Sequence, residues 1–174
     1  MGMAVIEMTC LWTGQQTCHN TEGEEIECTG SGQDAEFKTG LAWPQSRFTI
    51  KGELVEDQLT GLLWTQKSNF AGFPLSWQDS PDFVANMNRQ KQFGFNDWRL
   101  PTINELESLV DCSRAKPALV GDELFKDVKD VYWPSTTSLY EPDWAMALYV
   151  DKGAVGVGQK WLPHFYVWPV FTKD

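Results

Sequence analysis

Several things are scarce in this 174-residue chain, and each scarcity excludes a class of function. Histidine occurs twice, at His19 and His164, and the four cysteines form no C-x-x-C pair. A zinc site of ordinary spacing is therefore not expected, and no resident cofactor or metal is indicated. Positive charge is short: 14 Lys and Arg face 24 Asp and Glu, a formal net charge of −10. With no Lys/Arg run to offset that balance, neither nucleic acid nor an anionic membrane is an expected partner. No apolar run approaches the roughly 20 residues of a membrane span, so insertion is not expected. The opening "MGMAVIEMTCLW" has no basic n-region and no long apolar h-region, the two parts of a signal peptide.

Aromatic residues are abundant instead: nine Trp, ten Phe and four Tyr. Rings of that size fill cores or line contact surfaces, and so many imply both. Apolar residues at 42% and charged residues at 22% are ordinary for one globular domain of this length.

Cysteine usage points to an exported protein. Cys18 and Cys28 flank "HNTEGEEIE", which reads as a short acidic hairpin with Gly23 at its tip, and a bridge across it is the natural pairing. That leaves Cys10 with Cys112 as a long-range tie from the N-terminal arm; the alternative is four reduced thiols.

Residues 1–45 lack hydrophobic periodicity and read as an irregular, cysteine-tied arm; residues 46–174 read as one globular unit. "RFTIKGELVED" has the alternation of a hairpin turning at Gly52, and "TGLLWTQ" follows as an apolar strand. "SWQDSPDFVANMNRQ" reads as a helix with Ser80 or Ser76 as cap, Pro81 in its first turn, and Phe83, Val84 and Met87 on one side. "FNDWRLPTINELESLVD" reads as a short extended run entering a second helix. There Thr102 and Glu105 have capping-box spacing, and Ile103, Leu106, Leu109 and Val110 form the buried stripe. Beyond Pro117 the chain reads as strand and turn. "DWAMALYV" alternates through Trp144, Met146, Leu148 and Val150, "DKG" turns it, and "AVGVGQK" returns with glycines where side chains must be small. The order is strands, two helices, then an antiparallel meander, an α+β arrangement.

The succession "VEDQLTGLLWTQ", "SWQ…FVANMN", "FNDWRLPTINELESLVD", "YWPSTT" and "YVWPVF" resembles the Lcl C-terminal domain family, named after a bacterial collagen-like adhesin. The arm "TGQQTCHNTEGEEIECTGSGQD" and "GLAWPQSRFT" also resemble the lead of many members. The resemblance implies a C-type-lectin-like fold, two helices packed on a small twisted antiparallel sheet with a loop-rich ligand face, and an exported bacterial protein, periplasmic or on the cell surface, that contacts glycan or protein. The wider fold includes sulfatase-modifying enzymes and variable receptors of diversity-generating retroelements. The family pattern does not include Cys10 and Cys112; their joint presence favours pairing them.

Three places invite a functional reading. Asp97, Arg99 and Glu105 suggest an acid–base group, but an arginine whose pKa stays above ~12 does not transfer protons, and scaffold is the favoured role. "EPDW" (141–144) resembles the calcium loop of sugar-binding lectins, yet nearby acids are too few for six to eight oxygens. "GQKWLPHFYVW" (158–168) sets Lys160, Trp161, His164 and Tyr166 beside a proline-shaped turn, a composition suited to sugar stacking or a protein hot spot. Tyr140, Glu141, Lys160, Trp161 and His164 are thus the candidate contact face. No nucleophile elbow surrounds a serine, and a catalytic role is not expected. The expected partner is a glycan or a protein, with a homo-oligomer also open; the alternatives are an assembly subunit of a surface complex or a retroelement-type variable receptor, and then a divergent enzyme related to sulfatase-modifying proteins.

Overall fold

The alternating run before Gly52 becomes a hairpin in the computed structural model, which describes residues 10–172. The first nine residues of the arm, and with them the leader region, lie outside the described residues. Strand β3 (Phe48–Lys51) pairs antiparallel with β4 (Leu54–Asp57), and Gly52 takes the positive φ of 66° that the turn requires. β4 pairs with β5 (Leu62–Thr65), and β5 with β9 (Val170–Thr172), completing a four-stranded antiparallel sheet. A second sheet has the order β6 (Val131–Tyr132), β7 (Trp144–Tyr149), β8 (Ala154–Gln159), again antiparallel.

The arm carries its own two-residue pairing, β1 (Cys18–His19) with β2 (Glu25–Ile26), closed by a Cys18–Cys28 disulfide. The acidic hairpin with Gly23 in its turn is therefore present. The arm also holds a one-turn helix, α1 (Asp34–Phe37), which the sequence reading lacked. Its driver is local: the Glu36 carboxylate accepts the N–H groups of Gly30 and Gly32 at 2.7 and 2.8 Å. Those bonds hold the Glu36 pKa below its ordinary value.

The long-range pairing of Cys10 with Cys112 is not formed; both are free and exposed thiols. The reason lies in the arm's register. The Cys112 N–H bonds to Thr13 O at 2.8 Å, so Thr13 is the arm residue beside Cys112. Cys10 instead sits further back against Leu41, whose N–H donates to Cys10 O at 2.7 Å. Three extended residues span about 10 Å, beyond the reach of a disulfide.

Helix α2 (Ser80–Arg89) carries Pro81 in its first turn and buries Val84 and Met87, with Phe83 half-buried beside them. Neither serine caps it as expected. Asp79 stands at the N-cap; the Ser80 hydroxyl donates back to Ser76 O at 2.7 Å, and the Ser76 hydroxyl accepts the Asp79 N–H at 3.1 Å. Helix α3 (Ile103–Glu107) has the full capping box between Thr102 and Glu105. It ends sooner than the apolar stripe suggests: Leu109 is fully buried in the turn that follows.

Strand β7 departs from its alternation. Trp144 and Met146 are only half-buried, whereas Ala145 and Ala147 are fully buried. Both faces of β7 are covered. Met146 and Leu148 join the main core around Leu106, Tyr132 and Trp168, and the alanines pack under Trp133 and Phe165. The glycines of β8 are demanded by that second face. A Cβ on Gly156 would lie 2.6 Å from the Tyr149 ring, and one on Gly158 would lie 2.4 Å from Phe165.

The segment 165–172 is the seam of the fold. Tyr166 bridges to Tyr132 of β6, Val170 pairs with Trp64 of β5, and Val170 exchanges backbone bonds with Arg99. Trp168 is buried against Trp64 at 5.3 Å between ring centroids, and its indole N–H donates to Thr65 O at 3.0 Å.

Candidate functional site

The "WRLPT" junction buries its apolar side chains and pairs its arginine. Trp98 and Leu100 are buried, and the Trp98 indole N–H donates to Gln92 O at 3.0 Å. Between them Arg99 turns outward and holds both Glu105 oxygens, at 2.8 and 2.7 Å. The same carboxylate accepts the Thr102 N–H at 2.7 Å, so one acid closes the ion pair and the capping box together. Burial alone would raise the Glu105 pKa, but the Arg99 and Thr102 bonds outweigh it and hold it low. Both oxygens of this carboxylate are thus engaged by Arg99, and one also by Thr102.

The candidate contact residues gather at one end of the β7–β8 ladder. Trp144, first in β7, pairs with Gln159, last in β8. The loop that enters β7 carries Tyr140 and Glu141, and the loop that leaves β8 carries Lys160, Trp161 and His164. Lys160 couples the two. Its N–H donates to Asp143 O at 3.1 Å, and its ammonium donates to Pro142 O at 2.7 Å. The ammonium also lies 4.5 Å from the centroid of the Trp77 ring, a cation–π contact that braces the loop pair from beneath. The "EPDW" carbonyl at Pro142 thus receives a cation already present in the chain.

Beside that brace the two loops expose large apolar side chains, with the charged Glu141 and Asp143 between them. Tyr140 is 94% exposed, its neighbour Leu139 88%, and Trp161 60%. His164 is exposed and lines a shallow cleft of about 180 Å³ together with Trp133, Trp144, Leu162 and Phe165. Tyr166 is not part of this face: it is half-buried against Tyr132, with Lys129 over its ring.

The sequence reading missed Leu139, Trp77 and the cleft wall formed by Trp144 and Phe165. Leu139 carried a usable signal, a large aliphatic residue inside the polar run "TTSLYEPD". Trp77 carried none, because its contact with Lys160 joins distant parts of the chain.

Among the described residues, no group of three or more His, Cys, Asp or Glu is arranged to hold a metal ion, and no helix is long and apolar enough to cross a membrane. No curated protein matches the chain by sequence. The family model of the Lcl C-terminal domain matches residues 53–171, from β4 through the 165–172 seam, which is well over half of the chain. The chain belongs to the Lcl C-terminal domain family.

Proposed function

We propose that this protein is a non-catalytic binding domain of an exported bacterial protein, with a C-type-lectin-like arrangement that presents its ligand face on the loops flanking the β7–β8 ladder. The observation that carries this reading is the exposure of Leu139, Tyr140 and Trp161 on two loops that Lys160 ties together. Large apolar side chains held out into water by a braced backbone cost solvation without adding to the core. They contribute when a ligand covers them, and aromatic rings of this kind serve as sugar-stacking platforms and as protein hot spots. Export is supported by the Cys18–Cys28 disulfide in the arm.

A sulfated or otherwise anionic glycan fits poorly with a chain of net charge −10. A neutral glycan or a protein ligand fits better. The test is a glycan and protein array probed with wild type, Tyr140→Ala and Trp161→Ala. Loss of the wild-type signals in both variants supports the face, and signals unchanged in both overturn it.

A further inference from the structure

The outer edge of β8 carries no further strand among the described residues, and the bonding phase of the ladder shows which of its backbone groups point outward. Lys160 donates its N–H to Asp143 O, so the pair 143/160 is of the hydrogen-bonded kind. Antiparallel pairs alternate, which makes 145/158 and 147/156 bonded and leaves 144/159, 146/157 and 148/155 unbonded. β7 confirms the phase from its other side: Met146 N–H donates to Thr136 O, and Trp144 O accepts from Ser138 N–H. The backbone groups of Val155, Val157 and Gln159 therefore point away from β7. No strand lies there among the described residues.

Natural edges are usually blunted by lysine, proline or a bulge. This one, "AVGVGQ", has none of the three, and Val155 and Val157 are 38% and 39% exposed. Two of its outward carbonyls already have partners, which strand pairing must displace or share: Val157 O takes the Tyr149 hydroxyl at 3.3 Å, and Gln159 O takes the Leu162 N–H at 3.1 Å.

We propose that β8 pairs with β8 of a second copy of this chain, antiparallel and about a two-fold axis at Val157. In that register Val157 faces Val157, and Val155 faces Gln159, so every outward residue meets another outward residue. No charged side chain lies within the six-residue strand, so no like charges are opposed. The exposed valines cover one another, and Trp161, just past the strand end, approaches the Asp151–Gly153 turn of the second copy. The three-stranded sheet becomes one continuous sheet across the axis. The self-complementary register and the uncharged edge favour a second copy over a foreign strand. This pairing does not rest on the proposed ligand reading: it meets that face at Trp161 alone, and Tyr140 takes no part in it.

Sedimentation equilibrium over a wide concentration range tests it, on wild type, Val157→Pro, Val157→Lys, Tyr149→Phe and Tyr140→Ala. Proline at 157 removes an outward N–H that the β7–β8 ladder does not use, and lysine leaves the backbone intact while adding edge charge. Wild type should rise from the single-chain mass of 19.8 kDa toward twice that value as concentration increases. Each Val157 variant should weaken association about tenfold or more, Tyr149→Phe should strengthen it about threefold by freeing the Val157 carbonyl, and Tyr140→Ala should leave it unchanged. A wild type that stays monomeric throughout, or a dimer indifferent to both Val157 variants, overturns the proposal.

Discussion

Arg47 holds Asp57 by two parallel hydrogen bonds, Nε to Oδ1 at 3.0 Å and Nη2 to Oδ2 at 2.8 Å, with both side chains buried. The guanidinium lies against the Phe48 ring at 4.8 Å and donates to Ser108 O, so it joins the β3–β4 hairpin to the end of α3. Asp57 in turn receives the Leu59 N–H and the Thr60 hydroxyl in the following turn. Removing one partner strands the other charge without water. Arg47→Ala and Asp57→Ala should each cost about 3–5 kcal/mol in urea unfolding. A loss below about 1 kcal/mol in both would show that the pair is solvated in solution.

Glu105 gives the fold a defined acid sensitivity. Its pKa is held below the ordinary 4.5, although burial opposes this, because Arg99 and Thr102 bond the ionised form. A carboxylate depressed in the folded state adds stability above its unfolded pKa, and that contribution fades as pH falls through the folded value. Glu105→Gln should therefore lower stability by about 0.5–1 kcal/mol at pH 7, through the lost ion pair, because a glutamine oxygen can still accept the Thr102 N–H, and by progressively less as pH falls through the lowered folded value. Parallel stability curves for wild type and variant from pH 7 to pH 3 would disprove the assignment.

Gly158 is required by space. A methyl group there meets Phe165 at 2.4 Å and Trp133 at 2.5 Å, both ring atoms fixed in a packed cluster. Gly158→Ala should cost about 1–3 kcal/mol in a thermal melt. A melting temperature equal to wild type would mean that the rings reposition freely.

The cysteines should separate chemically. Mass spectrometry without reductant should find Cys18–Cys28 bridged and Cys10 and Cys112 both alkylated. Burial, with the nearby Asp111 and Asp34 carboxylates, pushes the Cys112 thiol above its ordinary value. Its alkylation rate at pH 8 should accordingly be below that of a free model thiol. A Cys10–Cys112 disulfide in the native protein would refute the arm register given by Thr13 and Leu41.

Local signals were legible in the sequence and distant ones were not. Thr102 and Glu105 could be paired on paper because a capping box closes within one helical turn, and Gly52 marked its hairpin for the same reason. β7 misled because alanines alternate with larger residues, and either set satisfies a period of two. Only the rings of Trp133 and Phe165, brought from other segments, decide that the alanine face is also buried. The contact face was half legible. Tyr140 stood in a polar run that forecasts exposure, whereas the chain near Trp161 contains rings of both fates, Trp161 outside and Trp168 inside. Arg47 was unreadable as a buried charge, since its partner and its stacking ring acquire meaning only from the pairing of Phe48 with Asp57.

The seam at 165–172 sets an order of events during synthesis. The four-stranded sheet lacks β9, and β6 lacks its bridge to Tyr166, until this stretch has emerged from the ribosome. Up to that moment the nascent chain is two incomplete halves, with Trp64 and Tyr132 lacking the Trp168 ring that packs against both. Docking of this one stretch therefore completes the four-stranded sheet, bridges it to β6 and closes the ring cluster in one event.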